Sequence, residues 1–373
     1  MKLAAFFIFF LRIRRPPRST LFPYTALFRS PSLKMTVDLF EYCAEHLPRW
    51  NFINICGYHV REAGSSLVQE LAFAFGNARA YLDEALSRGM AIDDFAPRIA
   101  FNFSVFNNVL EEVAKFRAAR RLWARLLKER YGAKNPRSLT FRTGAGSGGS
   151  TLVAQQPQNN IVRVTLHTVI AAMAGVQSMH TASMDEAHAL PSEEAATLAL
   201  RTQQIVAYES GLADVIDPLG GSYYVESLTD QIEEQAEEYL TRIEERGGMV
   251  AAIESGWVVQ EIGEEAYRFQ REVEQGERVV VGLNRFTTDE TPPIELHTPD
   301  PSVASTVRDE IDGLRRDRDS KALSRALDEL KSIASEGGNL VPATLEAVRA
   351  LATVGEVSGA LREIFGEWQA PNV

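Results

Sequence analysis

The sequence predicts an α/β fold, a partial TIM (β/α)8 barrel of about four βα units followed by a helical C-terminal segment. Two observations predict it. Short strand-like runs alternate with long helical patterns, and the strand starts fall about 40 residues apart. The strand-like runs also alternate apolar and polar residues, where a barrel packed by branched side chains has continuous apolar strands.

The elements follow in order. NFINIC (51–56) reads as the first strand. Leu67, Leu71, Ala74, Phe75, Ala78, Leu82 and Ala85 then recur at helical spacing. RIAFNF (98–103) is the second strand, and Val109, Val113, Phe116, Trp123 and Leu127 mark the next helix. SLTFRT (138–143) reads as the third strand, with Val162, Leu166, Val169, Ile170 and Met173 as the following helical face. Residues 176–180 form a short fourth strand. The fourth helix begins after Pro191 with Ser192 as N-cap and ends at Gly211. An amphipathic helix runs from about Leu228 to Arg246, stopped by Gly247 and Gly248. The expected domains are a leader (1–30), the half barrel (31–285), a linker rich in Pro, Thr and acidic residues (286–302) and a helical segment (303–373).

In the strands, Ile53 and Ile55 oppose Asn54 and Cys56; Ile99, Phe101 and Phe103 oppose Arg98, Ala100 and Asn102. If the apolar faces meet the helices, the other faces line a small, polar lumen with room for a long polar ligand. Half-exposed antiparallel strands are the alternative, and the intervening helices count against it.

A formal net charge of -11 argues against non-specific nucleic-acid binding. No apolar stretch is long enough to span a bilayer, so no membrane role is expected. Two cysteines, Cys43 and Cys56, allow no disulfide framework, and a reduced cytoplasmic setting is the default. Residues 1–30 hold six of the 39 Lys and Arg and no acid. Their FFLRIRRPPRSTLFPYTALFRS run resembles translated sequencing-adapter read-through; an unusual targeting segment or genuine domain sequence are the alternatives. They are expected not to pack on the rest.

None of the six histidines stands in a metal-binding spacing, so no metal site is expected. GAGSGG (144–149) lacks the Lys-Ser/Thr of a phosphate loop and reads as a flexible βα loop. GYHVREAG (57–64) is more informative. It places Tyr58 and His59 just after a strand, at the end where parallel barrels carry chemistry, although a lone Tyr-His pair is more often structural.

Several segments, in order, are similar to the methylmalonyl-CoA mutase family: GYHVREAG, FAPR (95–98), EVAKFRAARRLWA (112–124), NNIVR (159–163), QSMHTASMDEAHALP (177–191), DPLGGSYYVE (217–226) and RGGMVAAIE (246–254). ALRTQQI (199–205) resembles the isobutyryl-CoA mutase branch slightly more. The resemblance makes this the C-terminal half of the catalytic barrel. It implies a radical 1,2-migration of a thioester carbonyl group in an acyl-CoA, with adenosylcobalamin as cofactor. His59 would then bond the migrating carbonyl, with Tyr58 packed over the substrate. Asn51, Arg98 and Gln177 fall at positions near the CoA chain, and Glu62, Gly149, Glu186, Ala187 and Leu190 at positions facing the corrin or adenosyl group. In the residues' own terms, Arg98 also suits a salt bridge at the barrel bottom and Glu186 a helix-capping charge.

The departures are specific. Gly144, Gly146 and Ser147 stand where the family has a His-x-Gln-Thr-Ser-Gly loop, Ala100 replaces a serine and Ala182 an asparagine. The family's Asp-x-His-x-x-Gly cobalamin motif is absent, and SGALREIFGEW (358–368) resembles the end of large subunits that use a separate cobalamin-binding small subunit to ligate the cobalt. The front half of the family barrel has no counterpart, so no mutase activity is expected from this sequence alone. The competing readings are a catalytically altered paralogue serving as a binding or assembly subunit, an isobutyryl-CoA-type mutase, and a barrel enzyme acting on CoA esters without the cofactor.

Overall fold

A computed structural model describes residues 29–289 and 294–368, which fall into two compact units. The expectation for the leader therefore concerns residues almost wholly outside those described. Residues 53–82 and 91–297 form the unit that carries the sheet; residues 29–52, 83–90 and 298–368 form the other.

The sheet has four parallel strands in sequence order: β1 (Ile53–Cys56), β2 (Ile99–Val105), β3 (Thr143–Ser147) and β4 (Ser178–His180). Each connection carries helix, as parallel neighbours require. After α1 (Arg29–His46), helices α2 (Tyr58–Glu62), α3 (Leu67–Ser87) and α4 (Ile92–Phe95) lie between β1 and β2. Helix α5 (Val109–Arg125) follows β2, and α6 (Asn159–Ala174) follows β3. Beyond β4 come α7 (Glu193–Glu209), α8 (Tyr223–Glu245), α9 (Met249–Glu254) and α10 (Trp257–Glu274).

The apolar strand faces do meet the helices. Ile99, Phe101 and Phe103 are buried, and Phe101 packs 5.4 Å from Phe75 of α3 and 5.0 Å from Trp123 of α5, centroid to centroid. All seven apolar positions read for α3 are buried. The opposite face carries Cys56, Asn102, Gly144 and Ser178 in one row of register, all of them outside the core.

Two local expectations are corrected. The start of SLTFRT is a turn, not a strand. After Pro136 the amides of Ser138, Leu139 and Thr140 bond back to the carbonyls of Asn135, Pro136 and Arg137, so they are spent locally. The strand starts at Thr143 and runs through the glycine-rich segment, because β2 supplies parallel partners from Phe101 to Val105. The stretch read as a flexible loop is thus the strand itself, and the family departures at Gly144, Gly146 and Ser147 fall on it. In α6 the expected apolar stripe is only partly the buried one. Ile170 of that stripe is buried, but Val162 is 64% and Leu166 38% exposed, and Asn160, Arg163 and His167 take buried positions, because this helix also packs through hydrogen-bonded polar groups.

Helices α5 and α8 are joined by ion pairs, among them Arg117–Glu226, Arg121–Asp230 and Arg125–Glu237, each at 2.7 Å, while Arg120 donates to the Gly175 carbonyl at 2.9 Å instead. The N-cap at Ser192 and the stop after α7 at Gly211, in left-handed geometry, are as read.

The other unit packs α12 (Ser320–Glu336), α13 (Leu340–Arg349) and α14 (Val354–Phe365) around Leu323, Leu330, Leu340, Ala347, Val357 and Leu361. These helices follow α11 (Ser302–Asp317). Asp319, Asn339 and Thr353 cap their N-termini, Thr353 in a reciprocal box with Glu356. Among the described residues no helix is long and apolar enough to cross a membrane.

Candidate active site

The candidate residues divide between the two ends of the strands. Gln177 and Arg98 precede β4 and β2, and Asn51 lies two residues before β1. Gln177 accepts a hydrogen bond from the Thr143 amide at 2.6 Å and donates to the Gly175 carbonyl at 3.3 Å, so its side chain clasps the entry of β3 to that of β4. Arg98 donates to the Asp94 carbonyl at 2.6 Å. Asn51 is exposed.

At the C-terminal ends, β1 runs through Gly57 directly into α2, which presents Tyr58 and His59 with ring centroids 3.8 Å apart. Gly57 has no room for a side chain. A Cβ there would lie 2.9 Å from the Phe103 ring and 3.1 Å from Glu70 Cγ. The chain can therefore turn over Phe103 only with glycine at this position.

Glu62, at the end of α2, reaches the loop after β3. Its Oε2 accepts from the Ser150 amide at 2.8 Å. Burial raises the Glu62 carboxyl above the usual range, opposed by hydrogen bonds from Ser150 and Gly149 and by the charge of Arg61. Gly149 lies between two acids. A Cβ built on it would sit 3.7 Å from Glu62 Oε2 and 3.9 Å from Glu186 Cγ. The structure thus brings Glu62, Gly149 and Glu186 together, from three different segments. Glu186, Ala187 and Leu190 are exposed on the loop after β4, Leu190 at 65%. That loop is built on Asp185, which is 1% exposed. Its carboxylate accepts from the Ser183 hydroxyl at 2.5 Å and the Ser192 amide at 2.8 Å.

The sequence reading missed the support beneath α2. Lys115 of α5, 1% exposed, pairs with Glu70 at 2.8 Å and Glu112 at 2.7 Å and donates to the Ser104 carbonyl at 2.6 Å. Glu70 Oε1 accepts from the Ser104 amide at 2.7 Å. Glu112 also lies 3.7 Å from Arg61 of α2, whose guanidinium covers the Phe106 ring at 4.1 Å. A signal was present: Glu112 and Lys115 share the helical stripe of Phe116, Ala119 and Trp123, so two charges sit where the periodicity buries side chains.

Two further titratable groups are set apart by burial. Burial pushes the Cys56 thiol up to about 11, which leaves it un-ionised and a poor nucleophile. His167 is fully buried against Asn107 Oδ1 at 2.8 Å. Among the described residues no group of three or more His, Cys, Asp or Glu could hold a metal ion.

The arrangement offers a ring pair and two carboxylates around a bare backbone at the open ends of parallel strands, above a small polar strand face. Comparison with known proteins agrees with the resemblance read from the motifs. A family model described as methylmalonyl-CoA mutase matches residues 24–367. The chain is 44% identical over 342 residues to the 2-hydroxyisobutanoyl-CoA mutase large subunit of Aquincola tertiaricarbonis, a match covering 91% of this chain and 61% of that protein. It is 43% identical to the methylmalonyl-CoA mutase of Rhizobium meliloti (strain 1021) and 40% identical to that of Escherichia coli (strain K12), covering 48% of each. The chain therefore spans between 48% and 61% of the length of these relatives.

Proposed function

This chain belongs to the methylmalonyl-CoA mutase family, and we propose that it carries the catalytic half barrel of an adenosylcobalamin-dependent acyl-CoA mutase. The reaction is a carbon-skeleton rearrangement. The thioester carbonyl group of an acyl-CoA moves to the neighbouring carbon, and a hydrogen atom moves the opposite way. The observation that carries this reading is the convergence of Glu62, Gly149 and Glu186 beside the Tyr58–His59 pair, all at the C-terminal ends of the strands.

Adenosylcobalamin, when bound, supplies the radical chemistry. The residues fit such a group. At Gly149 the backbone is bare beside Glu62 and Glu186, with room for a Cβ only at contact distance from each, so a ring edge or hydroxyl donors can approach there where a larger side chain would intrude. Glu62, Gly149, Glu186, Ala187 and Leu190 would hold it, with the cobalt ligated by a separate cobalamin-binding small subunit. His59 would donate a hydrogen bond to the migrating carbonyl oxygen as charge gathers there, and Tyr58 would pack over the acyl group. Asn51, Arg98 and Gln177, near the opposite ends of the strands, would follow the CoA chain. The strand face between them, with Asn102, Gly144 and Ser178, provides the small polar lining for a ligand that runs the length of the strands.

The full-length enzyme, mixed with its cobalamin-binding partner, adenosylcobalamin and short branched acyl-CoA esters, tests this. Mass spectrometry and chromatography should find the rearranged isomer at unchanged mass. Retention of the cofactor with no isomer from any ester would favour the binding-subunit reading, which the bare positions Gly144 and Gly146 motivate. Failure to retain the cofactor would sink the proposal.

A further inference from the structure

The NNIVR segment has no part in the site described above, yet its Asn160 is fully buried and holds that site's loops. Its side-chain amide uses every hydrogen bond it can form. Oδ1 accepts from the Val153 amide at 3.0 Å and from Arg163 Nη1 at 2.7 Å. Nδ2 donates to the Val153 carbonyl at 2.9 Å and to the Met184 carbonyl at 3.0 Å. Two donors lie on one side and two carbonyls on the other, so only one amide orientation satisfies them.

The partners belong to separate segments. Val153 lies in the loop after β3, four residues from Gly149. Met184 lies in the loop after β4, two residues from Glu186. Arg163 extends the network by donating to the Val281 carbonyl at 2.7 Å. A second tie joins the first two loops, from His188 Nε2 to the Ala154 carbonyl at 2.8 Å.

We propose that Asn160 is a positioning residue, which sets the separation of Gly149 and Glu186 by fastening the loops after β3 and β4 to one point on α6. This rests on the reading that those two residues face the cofactor. The chemistry selects asparagine. Aspartate keeps the acceptor for Val153 and Arg163 but turns a carboxylate oxygen toward two carbonyls. Alanine leaves two buried carbonyls and a buried amide without partners.

Hydrogen exchange by mass spectrometry on the full chain without cofactor tests the geometry. Asn160→Asp should speed exchange roughly tenfold at the amides of Glu186, His188 and Ala189 while leaving Val153 protected. Asn160→Ala should speed exchange in both loops. Peptides from α3 and β2 should be unchanged in both variants. No change in either loop, or an equal rise in α3 and β2, would overturn the proposal.

A second arm uses the full-length enzyme with its partner. Asn160→Asp should weaken adenosylcobalamin binding about tenfold and leave KM for the acyl-CoA near wild type, as expected if one buried polar contact is lost from the cofactor loops only. Unchanged cofactor affinity beside loosened loops would overturn the positioning role. If the wild type retains no cobalamin, the functional reading fails, and the exchange experiment still decides whether Asn160 fixes the two loops.

Discussion

At the scale of single residues, His59 carries the sharpest expectation. It stands in the first turn of α2, beside the Tyr58 ring and past the C-terminal end of β1. A hydrogen bond to a carbonyl that gains charge in the transition state acts on kcat more than on binding. In the full-length enzyme, His59→Ala should lower kcat by roughly 10²–10³ with little change in KM. Steady-state kinetics giving kcat within about twofold of wild type, far short of that loss, would make His59 structural. His167 has a different task. Burial lowers its pKa from 6.5 to about 4, so the folded protein keeps it neutral. Between pH 6.5 and about 4 the unfolded chain binds a proton that the folded chain does not. Its contribution to stability is therefore full above that window and declines as pH falls through it. His167→Gln should flatten this part of the curve in urea unfolding at stepped pH; parallel curves for the two proteins would refute it. Gly149 stands in the glycine-rich stretch that departs from the family pattern, but Tyr58, His59, Glu62 and Glu186 could be singled out because they lie within recognisable segments. Asn160 and Lys115 lie within such segments too, but their tasks also depend on groups as far as 24 and 45 positions away.

At the scale of elements, the charges beneath α2 decide how firmly that helix is held. Lys115 neutralises two carboxylates that are 0% and 1% exposed. Lys115→Met would leave Glu70 without its paired cation and Glu112 with Arg61 at 3.7 Å. The expected loss is about 3–5 kcal/mol, measurable by chemical denaturation. A change below about 1 kcal/mol would mean that the pair is balanced by solvent, as surface pairs are. A triple replacement, Glu70→Gln, Glu112→Gln and Lys115→Met, should recover much of the loss, since removing buried charges together spares the lone-charge penalty. The elements also separate what periodicity can and cannot reveal. In α3 the seven apolar positions that recur at helical spacing are all buried, because that stripe packs against the hydrophobic core. In α6 the buried face holds Asn160, Arg163 and His167 beside Ile170, so hydropathy found Ile170 but also selected the exposed Val162 and Leu166. Before β3, Leu139 and Phe141 mimic strand alternation, yet the turn after Pro136 takes the amides of Ser138, Leu139 and Thr140, and the real strand has almost no hydrophobic pattern.

At the scale of the whole molecule, four parallel strands do not close a barrel. Among the described residues the sheet ends at β1 on one side and β4 on the other. Open strand edges invite association with other chains, and a radical reaction needs an enclosed site. This chain with adenosylcobalamin and no other protein should therefore give no rearranged acyl-CoA, and product above the protein-free control would refute that. The sequence by itself determined the order of the βα units, the polar strand face and most helix ends, and it proposed the site residues. These depend on local periodicity, turn chemistry and contiguous segments, which a single stretch of chain contains. Only the tertiary structure decided that GAGS is a strand, that Glu62 and Glu186 flank Gly149, and that Asn160 fastens two loops. The physical reason is that strand register and the pairing of buried polar atoms are satisfied by partners far along the chain, and those partners are fixed only when the strands and helices pack.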